Sequence, residues 1–120
     1  MSYVVDITLS LVRVLDAAAF FRDERLLGYS ANANFWAAEV RHAMDVIAGH
    51  DSRTAIWRSA VPTDQGDHQP SAADLAQLSK RLKASATRFF RLCTLDRCQV
   101  LEIEQLLGID VQHKSRNYRD

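Results

Sequence analysis

An all-α fold, an antiparallel four- to five-helix bundle forming a single domain over 1–120, is what the composition and apolar spacing of this chain predict. Three observations carry that expectation. Only four glycines and two prolines occur in 120 residues, too few to supply a turn every 8 to 12 or so positions as a sandwich or barrel requires. Apolar residues recur at alternating three- and four-residue steps over long stretches, which is the period of a helix with one buried face. The 48% hydrophobic and 25% charged content is that of a chain that folds around one core rather than staying disordered.

The elements follow in order. Val4, Ile7, Leu11, Val14, Ala18 and Phe21 step helically with Asp6, Ser10 and Arg13 opposite, so a first amphipathic helix is expected over 4–27, ended by Gly28 in a left-handed cap. Ser30 stands where an N-cap belongs, opening a second helix over 31–48 that Gly49 stops. A short third helix over 52–61 carries Ile56 and Trp57 and is closed by Pro62. The stretch 62–70, PTDQGDHQP, has no apolar side chain besides its prolines and reads as an exposed polar loop. Ser71 with Asp74 forms a capping box for a fourth helix that runs to Cys93 on Leu75, Leu78, Leu82, Ala86 and Phe89, widened by Phe90. Thr94 caps a fifth helix over 95–107, Gly108 ends it, and 112–120 is a polar tail.

The first twenty residues hold Asp6, Arg13 and Asp16 within their apolar stretch and no preceding basic residue, which fits neither a secretory signal nor a membrane span. Cys93 and Cys98 match neither a C-x-x-C redox pair nor a zinc half-site. A cytoplasmic protein is therefore expected, with no membrane partner and with both thiols reduced as small half-buried hydrophobes. Fifteen basic and fifteen acidic residues cancel, so no global field draws in nucleic acid, anionic lipid or an acidic substrate.

The glycines at 28, 49, 66 and 108 are isolated, which excludes phosphate-binding loops of the P-loop and Rossmann kinds. No G-x-S-x-G elbow is present. Glu39 and His42 make one Glu-x-x-His pair, but a di-iron bundle needs a second pair and two further carboxylates. No catalytic residue, metal ligand or cofactor is assigned on these grounds, and the balance falls against an enzyme. The segment 101–110, LEIEQLLGID, resembles the first helix and turn of the helix-turn-helix, a family that reads DNA. The resemblance covers only 101–120. Glu104 and Lys114 stand where that family has a small and an apolar residue, so Gly108 is read as a plain helix stop.

Two regions are singled out for function. On the second helix, Phe35, Trp36, Val40, Ala43, Met44, Val46 and Ile47 make a wide apolar arc at roughly 100° per residue, with Glu39 and Asn32 inside it and His42 on its edge. A buried carboxylate is costly without a partner, so Glu39 is expected to be buried and hydrogen-bonded from another helix, by Arg13, Arg22, Arg88 or Tyr29. Such a stripe serves a register-pinning network, a partner interface with aromatic anchors, or a polar pocket lined by Tyr29, Asn32, Phe35 and Trp36 in which Glu39 or His42 binds a ligand or moves a proton. On the fourth helix Lys80, Arg81, Lys83, Arg88 and Arg91 follow one another with no acid after Asp74. Lys80, Lys83, Arg88 and Arg91 are candidate phosphate contacts; the competing reading is a solvated face beside Glu102, Glu104 and Asp23. The expected role is a non-enzymatic helical interaction module that binds a protein partner or itself. The alternative is a small-molecule-binding or enzymatic bundle centred on Glu39 and His42, and a minor one is nucleic-acid binding through 80–91.

Overall fold

The computed structural model describes residues 3–60 and 70–112, with side chains for 4–50 and 70–112. Among these residues the fold is all-α, with five helices and no strand: α1 (Tyr3–Phe21), α2 (Glu24–Leu27), α3 (Ser30–Ala60), α4 (Ala72–Leu92) and α5 (Arg97–Leu107).

Two helical stripes run through α1 and share Val4, Leu11 and Ala18; one adds Ile7, Val14 and Phe21, the other Thr8 and Leu15. The second is buried. Thr8, Val12 and Leu15 have no exposed surface, whereas Val14 and Phe21 are 38% and 73% exposed. Packing decided this, because α1 lies chiefly on α4 and less on α3, and Val12 and Leu15 join Leu82, Ala86 and Phe89 in one core. A single polar Thr8 does not turn a face so rich in apolar neighbours.

α1 also ends earlier than 27. Arg22 adopts a left-handed φ of 50°, the Asp23 N–H donates to the Ala18 carbonyl at 3.0 Å, and the Arg22 N–H donates to that of Ala19 at 3.3 Å. This is a Schellman closure with arginine where glycine is usual. Asp23 then caps the single turn of α2 by accepting from the Arg25 N–H. The Arg25 side chain, hydrogen-bonded to it, holds the Asp23 carboxyl below its ordinary range. Gly28, expected to be left-handed, has an ordinary φ of −82°.

The expected second and third helices are one. α3 begins at Ser30 itself, which is therefore not its cap, and continues through Gly49 to Ala60. A glycine costs a helix interior about 1 kcal/mol relative to alanine, too little to stop it with no proline or cap directly behind. Ile56 and Trp57 lie outside the described side chains, and 61–69 and 113–120 lie outside the described residues. Pro70, assigned to the exposed loop, is buried. α4 opens as expected on a Ser71–Asp74 capping box and buries Leu75, Leu78, Leu82, Ala86, Phe89 and Phe90, with Cys93 as its C-cap. α5 starts two residues later than expected. Asp96 caps it in a capping box with Gln99, while the Thr94 N–H is engaged by the Leu27 carbonyl at 2.9 Å. Gly108, left-handed at φ 65°, ends it as expected.

The Thr94–Leu27 bond and the edge-on contact of Trp36 with Phe89 put the start of α3 beside the end of α4, so these helices are antiparallel. The ion pair of Asp16 with Arg88 puts the end of α1 beside the end of α4, so those two run the same way.

Candidate functional site

The polar network that crosses helices is built on Gln99, which is 8% exposed. Its Nε2 donates to the Ser30 carbonyl and to Asn34 Oδ1, both at 3.1 Å, while its Oε1 accepts from the Asp96 N–H. Arg41, also on α3, donates to the Leu106 carbonyl at 2.9 Å in the last turn of α5, where the helix dipole favours a cation.

Among the described residues, a groove lies on each of two sides of α1. The first, between α1 and α3, holds about 430 Å³ over an apolar floor that includes Ile7, Leu11, Val14 and Ala43. Trp36, Glu39 and His42 line it from α3, facing Asp6 and Ser10 on α1. Trp36 is half-buried, but Glu39 is exposed, and it makes no hydrogen bond to another helix among the described residues. The expectation of a buried, partnered Glu39 is corrected. The buried line of α3 is Ala33, Ala37, Val40, Ala43 and Ile47, whose centre lies about 100° around the helix from Glu39. Phe35, 54% exposed, and half-buried Val46 had drawn the expected arc off centre.

The six residues expected around one pocket therefore divide. Trp36, Glu39 and His42 share the groove, and Phe35 meets Trp36 edge-on at 4.9 Å. Asn32 is a structural tie, its Nδ2 donating to the Arg25 carbonyl. Tyr29, 70% exposed, stands at the entrance to α3 and does not line the groove.

The second groove, between α1 and α4, holds about 650 Å³. Arg22, Arg88 and Arg91 line it with Thr87 around a floor of Ala19, Ala84 and Leu92. Of the candidate phosphate contacts, Arg88 and Arg91 are here, while Lys80 and Lys83 are exposed on α4 and do not line it. Arg22 and Thr87 were missed. Thr87 follows Ala84 and precedes Arg91 at helical spacing, which is a readable signal, but only the tertiary fold brings Arg22 there. Arg88 Nη1 lies 3.5 Å from Asp16 Oδ1, Arg91 Nη2 donates to the Asp110 carbonyl at 2.8 Å, and the Thr87 hydroxyl donates to the Lys83 carbonyl.

Two of the three acids expected beside this strip are occupied elsewhere. Asp23 pairs with Arg25, and Glu104 Oε2 accepts the N–H groups of Val111 and Gln112 at 3.0 and 2.9 Å. Glu104 thus holds the segment after Gly108 in place, a job open to a carboxylate and not to the small residue of the helix-turn-helix pattern.

At the end of α1, Phe20 and Phe21 are 79% and 73% exposed and meet edge-on at 5.0 Å. Both cysteines are unpaired. Burial pushes the half-buried Cys93 thiol up to about 12, so it stays protonated and inert. Cys98 is exposed, contrary to the half-buried expectation. Among the described residues no helix is long and apolar enough to cross a membrane. Comparison with known protein families, curated proteins and solved structures finds no match to this chain.

Proposed function

We propose that this chain is a non-enzymatic helical interaction module whose docking face is the end of α1 and the adjoining entrance to α3. The observation that carries the reading is the exposed Phe20–Phe21 pair with Tyr29 at the same end of the bundle, since aromatic side chains flanked by arginine are the usual anchors of an interface. The partner it fits has apolar anchors next to acidic groups. A second copy fits less well, because a two-fold contact here would set Arg22, Arg88 and Arg91 against themselves. A cytoplasmic location suits the unpaired cysteines.

Panning a random peptide library against the chain and against a Phe20→Ser/Phe21→Ser variant tests this. Recovered peptides should combine bulky apolar and acidic residues and should lose binding to the variant. Peptides that bind both proteins equally, or concentration-dependent dimerisation that the double substitution abolishes, would overturn it. The groove between α1 and α3 supports a second reading as a small-molecule pocket, because its volume and its rim of Asp6, Glu39 and His42 over Trp36 lie in the range of ligand sites.

A further inference from the structure

We infer that the groove between α1 and α4 receives a phosphomonoester, carried on a side chain of the partner that docks at Phe20 and Phe21. The inference rests on the docking reading for its location and names the acidic group which that reading leaves open.

Charge supports the dianion. Three guanidinium groups line the groove, and the Asp16 carboxylate at 3.5 Å from Arg88 offsets one of them, leaving a surplus of two positive charges. A phosphomonoester carries about −1.5 to −2 near pH 7, whereas a carboxylate or a nucleic-acid phosphodiester carries one negative charge and would leave the surplus half unanswered. Donors are available too. Arg91 commits one Nη2 hydrogen bond to the Asp110 carbonyl, and Arg22 has no ion pair among the described residues. The planar fork of arginine matches phosphate oxygens in pairs. Thr87 adds no donor while its hydroxyl is bonded to Lys83. Ala19 and Ala84 make the room, because larger side chains on those facing helices would fill the floor.

The backbone at Arg22 is the second, independent observation. A left-handed φ of 50° at a Schellman position suits glycine, so the chain holds a guanidinium at the mouth of the groove at a cost in backbone strain. Strain of this kind, where it persists, points to a use for the side chain.

Arg22→Gly separates use from architecture, because it should raise the melting temperature while removing the charge. The probes are phenyl phosphate, benzoate and a ten-residue oligothymidylate, titrated at 0.15 M salt and read by the arginine side-chain N–H resonances. Phenyl phosphate should shift Arg22, Arg88 and Arg91 and bind at least about tenfold more tightly than benzoate, and Arg22→Gly should lose about tenfold in that affinity. Arg22→Lys should recover part of the loss. Equal binding of benzoate and phenyl phosphate, an unchanged affinity in Arg22→Gly, or tighter binding of the oligothymidylate would overturn the inference. Any of these with peptide capture at Phe20 and Phe21 intact leaves the docking reading standing. Selective phenyl phosphate binding by a chain that captures no peptide would instead remove the docking reading and leave an anion site.

Discussion

The joint between α3 and α5 and the groove between α1 and α3 both present polar side chains along α3, and they treat them in opposite ways. At the joint, Gln99 is buried, and its amide nitrogen donates to two acceptors at the start of α3 while its oxygen serves its own capping box. At the groove, Glu39 and His42 face solvent on the rim of an apolar floor. The buried Gln99 fixes architecture, and rim polarity is left for whatever enters. The difference follows from geometry, since a residue at the start of α5 points across to α3 while one on the flank of α3 points between neighbours.

Substitutions can break or sharpen that contrast. The largest effect is expected at the joint: Gln99→Leu should cost about 2 kcal/mol in a urea titration, because three part-buried hydrogen bonds, with the Ser30 carbonyl, Asn34 and the Asp96 N–H, are lost together. A loss below a few tenths would show that the network is incidental. Thr8 marks the converse, a fully buried hydroxyl whose Oγ1 finds no partner among the described residues. Thr8→Val should therefore stabilise the fold by about 1 kcal/mol, and destabilisation would mean that the hydroxyl is satisfied after all. Cys93 gives a pH-dependent version. Its thiol is pushed above its ordinary value to about 12, so the folded state holds the proton more tightly than the unfolded chain does. That stability is complete below pH 9 and lost as pH rises towards 12. Denaturation midpoints should fall over that interval, and Cys93→Ala should flatten the decline. The smallest effect belongs to the rim: Glu39→Gln and Glu39→Leu should both stay within about 0.5 kcal/mol of the parent. A clear preference for Gln would restore a buried partner to Glu39.

How much of this was readable without coordinates depends on how many solutions each segment allowed. α4 was legible because its capping residues and its one apolar line, Leu75 to Phe89, agree with each other. α1 was not, because lines through Ile7 and through Thr8 are equally helical and only packing on α4 chooses between them. α3 hid its length because Gly49 looks like a stop yet lies in an ordinary helical turn with open space where a Cβ would stand. Trp36, Glu39 and His42 could be grouped from spacing along one helix, whereas their facing wall of Asp6, Ile7 and Ser10 required the pairing of α1 with α3. The arginine groove was half visible for the same reason, through Arg88 and Arg91 on one helix but not through Arg22 on another.

The parallel seating of α1 against α4 carries a consequence for how the chain folds. This is the most extensive helix–helix packing among the described residues, yet the fifty residues between Phe21 and Ala72 must be looped back before it can form. Loop closure over that span adds an entropic barrier that local hairpins avoid. The N-terminal helices can meet early at little entropic cost, but the core that Val12 and Leu15 share with Leu82 and Phe89 is completed only when α4 arrives. The docking of α4 is then the step that sets the folding rate, and mutations at Leu82 or Phe89 should slow refolding more than mutations at Ala33 or Ala37 do.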